Sequence, residues 1–354
     1  MKNRVIKILC VILAFTFLLS GCADKKKVSK EILKKAKIGL VTTVGYEYDS
    51  KIEWHDNELN LLATDKFHYA SLGSHFNSPI YQNGKVYLIP DGLSNERNGT
   101  KIMSINFSNL EVEEYPFSHH GLNHIAVIGN DVYTVNTLDD ISYIERYNAD
   151  EKESSIIEIP KVYTYAIASF NDKLLAFNSK TLDDDMQIYL NVYNKKLSLE
   201  KTIDLTSYGM TTGKCCEDSK YFYTTIAYSN SDKPVSKILR INKEDYSVSV
   251  LENIGFSPND IYVYRDNLIV TNYDPVTNVG TTVRIMDKEG NLQKEIDLQK
   301  ELTLTEIYKD FFIIANDDEL QVYDLNTFKL LWNRKLNTQE GHYVSSIIIC
   351  DKEY

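Results

Sequence analysis

Six of the seven histidines lie in three short polar segments between predicted strands, where their imidazole groups could meet at one site. Neutral imidazole is the commonest metal ligand, and histidines with nearby carboxylates suit zinc or another transition metal. The six residues are His68, His75, His119, His120, His124 and His342. If they converge, they predict a metal-assisted hydrolase or lyase. The simpler interpretation is that they are ordinary loop residues and that no cofactor is bound.

A second set of candidate residues carries groups suited to binding. Tyrosine combines an apolar ring with a polar tip, so a tyrosine in a loop can stack on a sugar or a peptide. We expect five loop residues to contribute to such a site: Asp139, Asp140, Tyr165, Tyr273 and Tyr343. Packing between strands accounts for most of the other tyrosines, of which the chain has 25 in all.

Several catalytic motifs are absent from the sequence. It contains no G-x-S-x-G turn, no H-E-x-x-H pair, no G-x-x-x-x-G-K loop and no dinucleotide-binding fingerprint. The acidic run Asp183–Asp185 lacks the alternating spacing and the glycine of a calcium loop. The sequence therefore favours a binding protein, with an enzyme as the alternative.

The N-terminus resembles the signal of a bacterial lipoprotein. Residues 1–7 contain three cations and no acid, and an apolar run follows from Ile8 to Leu19. This run is too short to span a membrane, which needs about 20 residues, but it fits the apolar region of an export signal. The sequence Leu-Ser-Gly-Cys at 19–22 matches a lipobox, which predicts a signal peptide over 1–21, lipid attachment at Cys22 and a charged tether over 22–37.

This assignment predicts a protein anchored in the cell membrane by lipid and facing the outside of the cytoplasmic membrane. Several acyl chains on one cysteine give stable anchoring, whereas one chain holds a protein only marginally. Loss of the three cations in residues 1–21 takes the formal charge from −11 to −14. Because nucleic-acid affinity comes largely from cations that neutralise phosphates, nucleic acid is not an expected partner.

Three cysteines remain after Cys10 leaves with the signal and Cys22 receives lipid: Cys215, Cys216 and Cys350. An odd number in an exported chain argues against a disulfide framework. We expect all three to be buried free thiols in inner strands, where a thiol behaves as a small apolar group.

The rest of the chain shows a weak repeat of short strands. A polar pair precedes an alternating apolar strand at Lys85, Asp131, Lys173, Lys220, Asn267 and Phe311, at spacings near 45 residues. Later in each unit an Asn or Asp ends one strand just before the next begins, as suits a tight turn. Those residues are Asp56, Asn106, Asn148, Asn194, Asn242, Asp287 and Asp324. A repeat of this length with four strands is typical of a β-propeller blade.

The strand count predicts how the ring closes. The first unit supplies three strands and lacks the inner one, whereas residues 344–354 read as an inner strand with nothing after it. We therefore predict an all-β domain over 38–354, a seven-bladed β-propeller of four-stranded antiparallel blades closed by the C-terminal strand. An open all-β arrangement and an eight-bladed ring are the alternatives. The histidine segments would be connections between blades, on the face where propellers usually carry their sites.

One repeat resembles the blade motif of quinoprotein-type propellers. In the segment 323–332, Asp324, Asn326, Thr327 and Trp332 match that motif, and Phe328 replaces its usual glycine. The resemblance covers about ten residues. It implies kinship of fold and nothing about a quinone, which several blades would have to hold.

Overall fold

The computed structural model describes residues 30–90, 99–182, 185–228 and 234–350. The predicted signal peptide and Cys22 lie outside these residues. The described chain begins with a short helix, α1 (Lys30–Lys35), whose first turn is acidic and last turn basic, as the helix dipole favours. No helix in the described ranges is long and apolar enough to cross a membrane.

All other regular structure in the described residues is strand. In chain order the strands are β1 (Ile38–Thr43), β2 (Ser50–His55), β3 (Leu61–Phe67), β4 (Ile80–Gln82), β5 (Lys85–Leu88), β6 (Lys101–Asn106), β7 (Val112–Pro116), β8 (His124–Ile128), β9 (Asp131–Leu138), β10 (Ile141–Asn148), β11 (Glu153–Pro160), β12 (Tyr163–Phe170), β13 (Lys173–Leu182), β14 (Asp185–Asn194), β15 (Leu199–Asp204), β16 (Met210–Glu217), β17 (Tyr221–Tyr228), β18 (Pro234–Asn242), β19 (Val248–Glu252), β20 (Pro258–Tyr264), β21 (Asn267–Asp274), β22 (Val279–Asp287), β23 (Leu292–Asp297), β24 (Leu304–Tyr308), β25 (Phe311–Ala315), β26 (Glu319–Asp324), β27 (Leu330–Lys335) and β28 (Tyr343–Ile349).

The strands pair into seven four-stranded antiparallel sheets, which are the blades of a propeller. Each blade has strands A to D from the central channel outward. Blade 1 is β28, β1, β2 and β3, and blades 2 to 7 take four consecutive strands each. B strands read as apolar runs, such as the buried Leu174–Phe177 of β13, because neighbouring blades cover both faces of each sheet. The predicted seven-bladed propeller is confirmed.

Ring closure also follows the prediction. The last strand, β28, pairs antiparallel with β1, and Ile38 lies opposite Ile349. The backbone N–H of Ile349 also donates to the hydroxyl of Tyr81 in blade 2, at 2.9 Å. The two ends of the propeller therefore form one sheet, which neither end could complete alone.

The predicted starts of the B strands agree closely with the structure. Strands β5, β9, β13, β21 and β25 begin at the residues the repeat indicated, and β17 begins at Tyr221, one residue after the predicted Lys220.

The seven Asn and Asp residues at the C–D turns act as predicted. The side-chain oxygen of Asp56 accepts the backbone N–H groups of Glu58 and Asn60, both at 2.9 Å. Asn194 accepts from Lys196 at 2.9 Å and from Ser198 at 3.1 Å. Equivalent bonds to following N–H groups occur at Asn106, Asn148, Asn242, Asp287 and Asp324.

Phe328, which replaces the glycine of the quinoprotein-type motif, has a backbone conformation that favours glycine. Its φ angle is +55°, a conformation that costs a non-glycine residue about 1 to 2 kcal/mol. Its ring is buried against Phe312, with centroids 5.7 Å apart. Burial of a phenylalanine contributes about 1.5 to 3 kcal/mol, so the packing offsets the backbone cost.

The expectation of three buried thiols holds for only one of them. Cys215 and Cys216 lie in β16, the inner strand of blade 5, and Cys350 follows β28. Cys350 is buried and Cys216 is half-buried, but Cys215 is exposed. An A strand is the inner edge of its sheet and borders the channel, so an inner position does not ensure burial.

Candidate functional site

The connections between blades and the B–C loops form one face of the ring, which we call the upper face. The A–B and C–D turns form the lower face. Five of the six candidate histidines lie in connections that lead into blades 1, 2 and 3, and His124 is the first residue of β8. The predicted placement between blades is therefore confirmed for five of them.

Three histidines surround the closure of blade 1, and each has its own partner. His68 stacks on Tyr48, with ring centroids 4.5 Å apart. The Nε2 of His75 donates to the carbonyl of Val344 at 2.7 Å. His342 lies 3.2 Å from a carboxylate oxygen of Asp49 in the B–C loop of blade 1. These contacts fasten the loops beside β28.

The other connection, between blades 2 and 3, is held by one carboxylate. Glu145 is buried, and its oxygens accept the backbone N–H of Ser118 at 2.7 Å and of His119 at 3.1 Å. The Nδ1 of His119 lies 2.8 Å from the same carboxylate, and its ring stacks on Tyr143. His120 is exposed.

The histidines do not combine into a metal centre in the described part of the chain. No group of three His, Cys, Asp or Glu side chains there is placed to hold a metal ion. The segments lie in neighbouring sectors of the ring, but four of the six imidazoles each have a local partner of their own. The histidine-based enzyme hypothesis gains no geometric support from these residues.

His124 lies apart from the others, beside the central channel. A Cβ atom at Gly213 would lie 2.8 Å from its Cε1, so the ring is packed against the main chain of blade 5. Burial, and next the charge of Lys214, lower the pKa of His124 to about 4. The imidazole is therefore neutral at ordinary pH.

Lys214 spans the channel. Its ammonium group donates to the hydroxyl of Ser78 in the connection into blade 2 at 3.0 Å, and lies 3.2 Å from a carboxylate oxygen of Asp260 in blade 6. The other oxygen of Asp260 accepts from the hydroxyl of Thr305 in blade 7 at 2.7 Å. Lys214 is 9% exposed and Asp260 is 5% exposed. One side chain thus joins blades on opposite sides of the ring.

The channel offers little room beside this contact. The cavity lined by Ser78, Lys214, Asp260 and Glu306 has a volume of about 20 Å³. That is the space of about one water molecule and is too small for an organic ligand. Sequence reasoning missed this cluster. The signal that could have found it is a charged residue in the middle of three inner strands, at Lys214, Asp260 and Glu306.

The other predicted binding residues lie in different parts of the fold. Asp139 and Asp140 form the exposed B–C turn of blade 3, and both have positive φ angles, so their type is explained by the turn. Tyr343 begins β28 and packs edge-on against His75. Tyr165 lies in β12 and Tyr273 in β21, where Tyr273 is 2% exposed. The expected loop position is wrong for all three tyrosines, because each of their strands extends further toward the upper face than predicted.

The exposed apolar side chains give the upper face a distinct character. Fifteen large hydrophobic residues are exposed in the described ranges, and eight of these lie in upper-face loops or the adjoining strand ends. The eight are Tyr46, Phe76, Leu138, Tyr163, Leu182, Phe256, Val276 and Val279. The other seven lie in D strands, and five of those are the first residue of their strand, a feature of the repeat itself.

No protein-family model matches the sequence, and no curated protein matches it as a relative. Solved structures do match. A functionally unknown protein from Desulfotomaculum acetoxidans has a TM-score of 0.61 at 13% identity, over 90% of this chain and all of that one.

Two further structures are similar over most of the chain. AztD from Citrobacter koseri has a TM-score of 0.54 at 10% identity, over 88% of this chain and 97% of that chain. The dihydro-heme d1 dehydrogenase NirN in complex with DHE has a TM-score of 0.54 at 12% identity, over 92% of this chain and 78% of that chain. These likenesses show the fold alone.

Proposed function

We propose that this protein is a lipoprotein of the cell membrane that faces outside, and that its propeller binds a peptide, glycan or protein partner through the upper face. The observation that carries the proposal is the set of eight exposed apolar side chains on that face. They occur in loops and strand ends that differ from blade to blade, so the repeat does not account for them. Exposed apolar side chains gathered on one face of a domain are a feature of interaction sites.

The composition of this set fits a protein or peptide partner. Aromatic residues are enriched in the buried centres of protein interfaces, and four of the eight are aromatic. The cavity beside Lys214 in the channel, by contrast, has room for about one water molecule, so we expect recognition on the outer surface. Rigid blades with variable loops are a suitable scaffold for such binding.

Membrane anchoring is tested by removal of the lipidated thiol. Cys22→Ala is expected to abolish incorporation of radiolabelled palmitate and to move the protein from the membrane fraction to the soluble fraction or to the uncleaved precursor. Cys216→Ala is the matched control and should leave both measurements unchanged. Palmitate labelling that survives Cys22→Ala would contradict the anchor.

The upper face is tested by photo-crosslinking in the native host. A photoreactive phenylalanine analogue is placed at Phe76, Tyr163 or Leu182 on the upper face, and at Asn109 or Lys196 on the lower face. We expect one recurrent crosslinked partner from the upper-face positions and none from the controls, measured by mass spectrometry. Equal crosslinking from both faces would overturn the proposal.

A further inference from the structure

A groove of about 450 Å³ lies on the upper face between blades 5 and 6. Its walls come from Val235 and Ser236 on β18, from the connection 253–257 and from Arg284 on β22. The volume is within the range of ligand-binding clefts, roughly 300 to 1,000 Å³. Phe256 stands at its edge with 56% of its surface exposed.

The floor of the groove is fixed by hydrogen bonds from blade 6. The side-chain amide of Asn272 donates to the two carbonyl groups that flank Gly255, at 3.1 and 2.7 Å. Arg284 donates through Nη1 to the carbonyl of Asn253 at 2.9 Å. Gly255 has a φ angle of +93°, and a Cβ there would lie 2.8 Å from the guanidinium group. The connection is therefore held in one conformation before any ligand arrives, which lowers the cost of binding.

Three buried polar atoms in and beneath this groove have no hydrogen-bond partner among the residues that the structure describes. They are the hydroxyl oxygen of Ser236, the Nε of Arg284 and the side-chain carbonyl oxygen of Asn272. Buried polar groups are nearly always paired, and an unpaired one is costly, so three in one place call for an explanation. Ser236 and Arg284 line the groove, so a ligand with both acceptor and donor groups would satisfy their two atoms.

The charge of the groove selects among such ligands. Arg284 is already paired with Glu295, with Nη2 and Oε2 2.5 Å apart, so the guanidinium charge is neutralised within the protein. A free anion therefore gains little here. The apolar surface of Val235 and Phe256, with the exposed Val276 on the adjoining B–C loop, favours an apolar side chain.

We propose that this groove binds an extended, uncharged peptide segment of the partner. An apolar side chain packs on Val235 and Phe256, while the adjacent main-chain amide bonds with Ser236 and Arg284. A peptide supplies both the acceptor and the donor that these residues need. This inference rests on the proposed function, because it identifies the part of the upper face that receives the partner's chain.

The test uses the full-length protein in detergent and a set of tetrapeptides, N-acetylated and C-amidated, with two positions varied among Ala, Val, Leu and Phe. Binding is measured by saturation-transfer NMR and by titration. We expect some members to bind, and Ser236→Ala and Arg284→Lys each to weaken binding about tenfold. Arg240→Lys is the matched control, because Arg240 lies on β18 and donates to the carbonyl of Lys288 instead of lining the groove.

Two results would overturn the inference: no tetrapeptide binds, or the peptides bind equally well to the Ser236 and Arg284 variants. Hexanoate, a simple apolar carboxylate, is tested as the competing kind of ligand. If it binds as tightly as the peptides do, the groove does not select a peptide. The photo-crosslinks at Phe76, Tyr163 and Leu182 lie outside the groove and test the upper face separately. If those crosslinks persist while no peptide binds, the proposed function is supported and the inference that the groove binds a peptide is refuted.

Discussion

Lys214→Met is expected to lower the free energy of unfolding by about 3 to 5 kcal/mol, because it leaves the carboxylate of Asp260 buried without its charge partner. Methionine keeps most of the length of the lysine stem, so the loss reports the missing charge rather than a cavity. The cross-channel bond to Ser78 is lost as well. Equilibrium urea denaturation of the chain from residue 23 onward measures the effect.

The control variants compare the buried ion pair in the channel with an ion pair on the protein surface. Lys237→Met removes the exposed pair with Glu252 in the same blade and is expected to cost less than about 1 kcal/mol. Combining Lys214→Met with Asp260→Asn should recover part of the loss, because the uncompensated charge is then gone. If Lys214→Met costs no more than Lys237→Met, the channel pair does not stabilise the ring.

The fold could be predicted because its signals are local. Each B strand begins after a polar turn, and each C–D turn carries an Asn or Asp whose side chain bonds the following N–H groups, so spacing alone located them. Asp56 and Asp324 illustrate this at opposite ends of the chain. Ring closure followed from counting strands, because an unpaired strand at each end of the chain is a liability that pairing removes.

The contacts across the ring could not be predicted in the same way. Lys214 and Ser78 are 136 residues apart, and their meeting depends on the width of the channel and the rotation of each blade. The predicted loop position of Tyr273 was wrong for a related reason. Its strand runs to Asp274, and the extra length buries the tyrosine that a shorter strand would leave in a loop.

The same limit applies to the choice between a histidine site and ordinary loop histidines. Their sequence positions placed five of them correctly between blades, but side-chain direction decides whether imidazoles meet. His75 turns to the carbonyl of Val344 and His119 to the carboxylate of Glu145, both partners within the fold. Polar loop residues that fasten a connection and polar residues that bind a ligand have the same types and spacing.

Acidification from pH 7 to pH 4.5 is expected to lower the free energy of unfolding by about 2 kcal/mol through His124 alone. Burial and the charge of Lys214 hold its pKa near 4 in the folded protein, below the usual value near 6.5. Below pH 6.5 the unfolded chain therefore binds a proton that the folded protein does not. The stability that His124 provides is complete above pH 6.5 and falls as the pH drops toward 4.

Urea denaturation across this pH range tests the expectation against two variants. His124→Gln should remove about 2 kcal/mol of the pH dependence, whereas His120→Gln, which changes an exposed residue, should leave it intact. Lys214→Met links the two predictions, because loss of the neighbouring charge raises the pKa of His124 toward its usual value and so makes the acid-induced loss smaller. Histidine NMR titration reports that pKa directly. A pKa of His124 near 6.5 in the unmodified protein would show that the channel exerts no such effect.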